Sequence, residues 1–254
     1  MKAEPELEPM KKPAPKPIRL GVLTPSSNTA LEPLTCAIVA TVPGLSVHFS
    51  RFKVTEIALS PSALGQFDDG NILAAAELLA DAKVDVIGWS GTAAGWLGFD
   101  KDELLVQRIQ ERTGIVATTA VLALNELMAL RQIRKLGIVS PYTADVQHRI
   151  VANYQQAGIE VVAHTHEGIS VNHDFAGVSP ELLWQRMDEV RRAAPEAIVT
   201  YCTNLRAAHL AERAEQTWGI PLLDTVSTTV WGMMRAAGAD PADVQGWGSL
   251  YEWA

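Results

Sequence analysis

The chain contains little cysteine, because its 254 residues include only Cys36 and Cys202. Two cysteines without a framework pattern argue against a disulfide-stapled scaffold and are typical of a reducing compartment, so we expect a cytoplasmic protein.

Basic residues are also few, with 21 Lys and Arg against 29 Asp and Glu and a net charge of −8. This acidic balance, without any basic stripe, argues against a nucleic-acid partner.

Long hydrophobic runs are missing as well. No apolar run reaches the roughly 18 residues that span a bilayer, so we expect no membrane partner. The N-terminal stretch MKAEPELEPMKKPAPKP lacks the apolar region of a secretory signal and is rich in Pro, Lys and Glu. It predicts a disordered leader at residues 1–17. The rest of the chain is long and hydrophobic enough to bury a sizeable core.

Short apolar runs rich in β-branched residues alternate with longer amphipathic stretches. The runs predict strands at 18–24, 45–54, 84–90, 115–120, 135–140, 160–167, 196–202 and 221–226. Helical periodicity is clear at 71–82, 145–158 and 179–194. Nearly continuous apolar strands that alternate with helices indicate parallel sheets covered on both faces, which is an α/β fold.

The two halves of the chain resemble each other. IRLGVLTPSSNT parallels RKLGIVSPYTAD, and VDVIGWSGTAAG parallels PEAIVTYCTNLR. We therefore predict two pseudo-symmetric Rossmann-like subdomains, the first at 18–122 plus 228–254 and the second at 123–227. Because ligands bind beyond the carboxyl ends of parallel strands, the active site is expected in the cleft between them.

In the first half, two strand ends carry groups that suit an anion. In TPSSNT, the hydroxyls and amide of Ser26, Ser27 and Asn28 stand beside the free N–H groups of a helix that begins near Ala30, although simple N-capping explains them equally well. In SGTAAG, Gly91 would let backbone amides approach a ligand closely, or would only serve a tight turn. The absence of GxGxxG and GxxxxGK[ST] argues against a dinucleotide or a nucleoside triphosphate.

In the second half, the strand ends carry a tyrosine and a thiol. The Tyr142 hydroxyl in SPYTAD can donate to a developing oxyanion, although structural tyrosines are common. Cys202 in YCTNLR ends a strand beside polar residues, where a helix N-terminus would lower its pKa and make it an acid, base or nucleophile. A small core residue is the alternative. Cys36, inside the apolar pattern LEPLTCAIVATV, is predicted to be such a packing residue.

The six histidines do not predict a metal site. His164 and His166 alternate along a strand and share a face, but no carboxylate or cysteine stands at a metal-ligand spacing. We therefore expect no metal. Trp96, Leu97 and Phe99 either line an apolar pocket or anchor their loop in the core.

Five motifs taken in order resemble the aspartate/glutamate racemase superfamily. They are LGVLTPSSNTALEP, SGTAAGWLG, LGIVSPYTADV, GISVNHDFAGVSP and IVTYCTNLRA. The branches that they resemble most are maleate cis–trans isomerase and arylmalonate decarboxylase, and the match runs from about Ile18 nearly to the C-terminus. The resemblance implies two α/β subdomains with the active site at their interface, and no cofactor or metal.

The resemblance also implies which chemistry is available. Racemases and maleate isomerases of the superfamily use one cysteine from each half, and here the second matches Cys202 while Gly91 stands in place of the first. Arylmalonate decarboxylase has glycine there and uses a single cysteine to protonate an enediolate. Ala93 departs from the decarboxylase, which has a hydroxyl residue at this position. The motif CTN, which begins with Cys202, resembles the isomerase more closely.

These comparisons imply a set of site residues. The expected catalytic residues are Cys202, Gly91, Thr92 and Tyr142. The expected substrate-binding residues are Pro25, Ser26, Ser27, Asn28, Ala93, Asn172, Thr203 and Asn204.

The resemblance favours a cofactor-independent enzyme that acts on a small dicarboxylate through an enediolate-type intermediate. Decarboxylation of a substituted malonate, with Cys202 as the proton donor, is the preferred reaction. A maleate cis–trans isomerase or racemase-like isomerase is the first alternative. The second is a non-catalytic dicarboxylate binder, in which Cys202 would react no faster than an ordinary thiol. A homo-oligomer is left open, since relatives include monomers, dimers and tetramers.

Overall fold

The apolar runs form parallel strands in two sheets. A computed structural model describes residues 17–67 and 69–253, so the predicted leader lies outside the described residues except for Pro17. The strands of the first sheet are β1 (Ile18–Pro25), β2 (Leu45–Phe52), β3 (Val86–Trp89) and β4 (Ala117–Thr119). Those of the second are β5 (Lys135–Ser140), β6 (Glu160–His166), β7 (Ala197–Thr200) and β8 (Leu222–Asp224).

Both sheets have the same topology. Their strand orders are β2-β1-β3-β4 and β6-β5-β7-β8, and every neighbouring pair is parallel. The prediction of two similar α/β halves with parallel sheets is therefore confirmed. The boundaries given above for the two subdomains stay predictions.

Helices flank both sheets. In the described part of the chain they are α1 (Leu31–Val39), α2 (Pro61–Leu64), α3 (Asp69–Asp81), α4 (Ala94–Leu97), α5 (Phe99–Thr113), α6 (Ala120–Leu130), α7 (Ala144–Gln156), α8 (Pro180–Arg191), α9 (Ala211–Trp218) and α10 (Thr225–Ala236). None of these helices is both long and apolar enough to cross a bilayer.

In two places a helix begins inside the apolar run that predicts a strand. Ala120 begins α6, and Thr225 begins α10, although the sequence pattern places both in strands. The reason is helix capping at the strand end: the Thr119 hydroxyl accepts the N–H of Leu122, and an Asp224 carboxylate oxygen accepts the N–H of Val226. A capping side chain at the last strand residue therefore turns the chain directly into a helix.

The prediction that Cys36 is a core residue is wrong. The buried face of α1 consists of Leu31, Thr35, Ile38 and Val39, which follow the helical period, and Cys36 lies on the exposed side. The apolar composition of this helix extends beyond the stripe that it buries. Cys36 is thus a surface thiol, and Cys202 is the buried one.

Candidate functional site

The ends of several parallel strands meet around one small cavity, whose free space is about 20 Å³, room for roughly one water molecule. Eight of the predicted site residues line it, from the loops after β1, β3, β5, β6 and β7: Pro25, Gly91, Thr92, Ala93, Tyr142, Asn172, Cys202 and Thr203. The remaining lining residues are Val54, Ile57, Phe67, Trp89 and Trp96. The cavity therefore lies between the two halves, as the sequence predicts.

The turn after β3 presents backbone donors to this cavity. In the part of the chain that the structure describes, the N–H groups of Gly91, Thr92 and Ala93 have no hydrogen-bond acceptor. Consecutive free N–H groups at one turn form a concave site for an anion. The side chain of Thr92 is 4 % exposed and lies at the same turn. The turn can therefore hold a carboxylate or the oxygens of an enediolate.

Cys202 lines the same cavity, two residues after the end of β7, and is buried. Its sulfur accepts the N–H of Asn204 at 3.4 Å and contacts the Tyr142 hydroxyl. Burial, the largest effect, raises the pKa of the thiol to about 12, although both hydrogen bonds lower it. The expectation of a lowered pKa is therefore wrong. At neutral pH the thiol keeps its proton, which a proton donor requires.

Tyr142 links the thiol to the anion-binding turn. Its hydroxyl shares a hydrogen bond of 2.6 Å with the Thr92 hydroxyl, and its ring packs edge-on against Trp96 and Phe175. Burial, with the nearby Cys202, raises the pKa of Tyr142 well above its usual range. The phenol therefore stays neutral, and its O–H can donate a hydrogen bond to a neighbouring anion.

Four predicted substrate-binding residues do not line the cavity: Ser26, Ser27, Asn28 and Asn204. Asn28 caps α1, because its side-chain oxygen accepts the N–H groups of Ala30 and Leu31 at 3.0 and 2.9 Å. These contacts of Asn28 are the ones that the N-capping interpretation of TPSSNT predicts. The Asn28 amide group donates to the Thr203 hydroxyl at 3.3 Å, just behind the cavity surface.

Of the other members of this group, Ser27 and Asn204 tie the two halves together, and Ser26 bonds within the first half. The Asn204 side-chain oxygen accepts the N–H of Thr29 at 2.9 Å, and its amide donates to the Asn172 carbonyl at 2.5 Å. The Asn172 amide donates to the Ser27 hydroxyl at 2.7 Å, while the Ser26 side chain bonds to the backbone of Val54. Substrate binding by these four residues stays a prediction, since their contacts support the cleft from outside.

Four cavity residues are absent from the predicted set. Val54 and Ile57 follow the end of β2, so the rule that ligands bind beyond strand ends could have identified them. Trp89 is the last residue of β3, and Phe67 lies in the turn after α2, where no sequence signal marks it. Of the three apolar candidates, Trp96 lines this cavity, whereas Leu97 and Phe99 line others.

Gly91 has no room for a side chain. A Cβ placed on its backbone would lie 2.0 Å from Cζ2 of the Trp89 indole, far inside van der Waals contact. The position where the resemblance expects the first cysteine of a pair is thus covered by an aromatic ring. The site holds one thiol, and an indole fills the space that a second would need.

Metal-ligating side chains do not gather at the site. Among the described residues, no group of three His, Cys, Asp or Glu is arranged to hold a metal ion. His148 and His164 lie with ring centroids 6.2 Å apart, and burial together with His148 and His166 lowers the pKa of His164. The absence of a metal and of a cofactor stays a prediction.

Asp102, beside a neighbouring cavity, gives a pH-dependent prediction. It is 3 % exposed, accepts a hydrogen bond from the Thr119 hydroxyl, and burial raises its pKa from 3.8 to about 7. The folded state therefore holds this proton more tightly, and stability falls as pH rises from about 4 to 7. We expect Asp102→Asn to gain stability relative to wild type over that range, by up to about 4 kcal/mol, in urea unfolding. Asp100→Asn, at an exposed position, is the control, and a pH-independent difference for Asp102→Asn would contradict the account.

Comparison with known proteins shows the family of this chain. The arylmalonate decarboxylase family model matches residues 36–251. The chain belongs to this family. Maleate isomerases of Nocardia farcinica and Pseudomonas putida are each 24% identical to it, over 91% and 93% of this chain and 94% and 98% of their own. The arylmalonate decarboxylase of Bordetella bronchiseptica is 25% identical over 66% of this chain and 71% of its own.

Solved structures of family relatives have the same fold. The maleate isomerase Iso from Pseudomonas putida S16 superimposes with a TM-score of 0.85 at 24% identity, covering 92% of this chain and 98% of that one. For an arylmalonate decarboxylase crystal structure the TM-score is 0.75 at 19% identity, with 93% and 100% covered. A mutant Nocardia farcinica maleate cis–trans isomerase was solved with a covalently bound succinylcysteine intermediate, at a TM-score of 0.84. This family member is thus an enzyme, either a decarboxylase-like lyase or an isomerase.

Proposed function

We infer that the protein decarboxylates a small substituted malonate and that Cys202 donates a proton to the resulting enediolate. The observation that carries this proposal is a single protonated thiol in one cavity with three free backbone N–H groups, with the Trp89 indole where a second thiol would stand. Two-base racemisation needs acids on both faces of a carbon. Protonation of an enediolate from one face needs only one.

The lining of the cavity favours loss of one carboxylate. The N–H groups of Gly91, Thr92 and Ala93 can hold one carboxylate and stabilise the charge that develops on it. Val54, Ile57 and Phe67 also line the cavity and are apolar. A second carboxylate against these side chains loses hydration without gaining donors, and its departure as CO2 relieves the cost.

The chemical steps balance without a further reactant. The bond between the α-carbon and the leaving carboxylate breaks, CO2 departs, and the electron pair enters the enediolate. The Cys202 S–H then gives its proton to the α-carbon, which yields a monocarboxylate and a thiolate. The Tyr142 hydroxyl and the Asn204 N–H stabilise this thiolate, and its high pKa favours recovery of a proton from water.

Tyr142→Phe tests the support for the thiolate. Since the variant removes the hydroxyl that contacts both Cys202 and Thr92, we expect kcat for malonate decarboxylation to fall by about 100-fold. Tyr154→Phe is the matched control, because Tyr154 is equally buried but its hydroxyl bonds to Tyr201, outside the cavity lining. Equal losses in both variants would indicate a packing defect rather than a role in the reaction.

Maleate isomerisation is the second candidate. It is favoured by the relatives, since three of the maleate isomerases match 89–93% of this chain and the decarboxylase only 66%. It would require a nucleophile that attacks a double bond. The raised pKa of Cys202 leaves little thiolate at neutral pH, and the glycine at position 91 offers no second thiol.

Turnover separates these candidates from each other and from a binder. A slow reaction of Cys202 with iodoacetamide no longer marks a binder, because a buried thiol of raised pKa is slow in an enzyme as well. The experiment is proton NMR of wild-type protein with dimethylmalonate, phenylmalonate and maleate. Formation of the monocarboxylate supports the proposal, fumarate from maleate supports the isomerase, and ligand-induced thermal stabilisation without any product supports the binder.

A further inference from the structure

The catalytic cavity has a larger neighbour. A second cavity of about 280 Å³ shares Phe67, Trp89 and Ala93 with it. The second cavity is lined mainly by apolar side chains, with charged groups also present. Among the apolar ones are Ile72, Leu97, Leu104 and Leu105.

Trp89 lies where the two cavities adjoin. Its side chain is 2 % exposed and packs against Phe52, with ring centroids 4.9 Å apart. The six-membered part of the indole covers the catalytic turn, since Cζ2 and Cη2 lie 2.0 and 2.5 Å from a Cβ built at Gly91. The indole therefore fills the space above the donors that would hold the substrate.

We propose that Trp89 determines substrate specificity by limiting the size of the α-substituent, because its indole is the largest of the three side chains that separate the catalytic cavity from its larger neighbour. The proposal rests on the proposed function. It assigns malonates with small aliphatic substituents as substrates. An aryl substituent cannot enter the neighbouring cavity while the indole stands between the two.

Removal of the indole should reverse this preference. Trp89→Ala joins the two cavities, so a phenyl group can occupy apolar space beside Ile72 and Leu105. We expect the ratio of kcat/KM for phenylmalonate to that for dimethylmalonate to rise by at least about 100-fold in Trp89→Ala. Trp89→Phe should raise it less, and this milder variant keeps the test available if the alanine variant does not fold.

Leu105→Ala is the matched control. Leu105 is also a buried core residue and lines the neighbouring cavity but not the catalytic one. Its truncation enlarges the neighbour without opening the wall, so the ratio should stay at the wild-type value. An unchanged ratio in both Trp89 variants, or an equal rise in Leu105→Ala, would overturn the proposal.

Calorimetry separates this proposal from the proposed function. Cys202→Ala and the double variant Trp89→Ala/Cys202→Ala are titrated with phenylmalonate and dimethylmalonate, so no turnover is needed. A selective gain in phenylmalonate affinity in the double variant supports the role of Trp89, even if the wild type decarboxylates neither compound. If both proteins bind the compounds with the same selectivity, the role of Trp89 is overturned and the proposed function is not. Failure of both proteins to bind either compound overturns both proposals.

Discussion

Cys202→Ala should abolish malonate decarboxylation, with product formation reduced by about 10²- to 10⁴-fold, the usual contribution of a positioned acid. The reason is that, in the proposed mechanism, the enediolate forms against the turn at Gly91, and the Cys202 thiol in the same cavity is its proton source. The measurement is the rate of monocarboxylate formation at neutral pH. Since the substitution removes one buried sulfur atom, the variant should remain folded, as circular dichroism and thermal unfolding would verify.

Cys36→Ala is the control for this prediction. Cys36 is exposed on α1 and lies outside the cavity lining, so its loss should leave the rate unchanged. A Cys202→Ala protein that turns over at the wild-type rate would remove Cys202 from the mechanism. Equal losses in both variants would indicate a general effect of cysteine removal.

Gly91→Cys should destabilise the fold instead of restoring a two-cysteine site. The new Cβ would lie 2.0 Å from Cζ2 of Trp89, so the buried indole must move. Overpacking of this kind costs about 3 kcal/mol, which lowers Tm by roughly 6–12 °C for a chain of this size. We expect no gain of racemase or isomerase activity in this single variant. Calorimetric unfolding and proton exchange at the α-carbon of a monocarboxylate are the two measurements.

Two further variants bracket the effect. Gly65→Cys adds the same side chain where no atom lies within 4 Å of the new Cβ, so Tm should hardly change. Trp89→Ala/Gly91→Cys removes the obstructing indole, and a second thiol can then stand opposite Cys202. We expect this double variant alone to gain α-proton exchange. A Gly91→Cys protein as stable as the wild type would contradict the assigned position of the indole.

The general architecture follows from patterns that the sequence displays openly. Continuous apolar runs between helices predict parallel strands, and the parallel motifs of the two halves predict their common topology. Residues just after strand ends, such as Thr92, Tyr142 and Cys202, could be identified because the carboxyl edge of a parallel sheet collects ligand-binding loops. This rule depends on chain order and needs no knowledge of side-chain packing.

What the sequence could not provide depends on where side chains point. That the Trp89 indole folds over Gly91 is a matter of rotamer and packing, with no trace in the order of residues. The same holds for the pKa of Cys202, which burial raises against the effect expected from a helix N-terminus. Asn28 illustrates an intermediate case, since its type suits both a cap and a ligand, and its contacts are those of a cap.

The most direct test of the central claim, proton donation by Cys202 from one face, is decarboxylation of 2-ethyl-2-methylmalonate in D₂O. This compound has no exchangeable α-proton, and its product carries a new stereocentre. Wild-type protein should give 2-methylbutyrate with one deuterium at the α-carbon and a single configuration, and Cys202→Ala should give almost no product. A racemic product, or deuterated product formed equally fast by Cys202→Ala, would contradict the account.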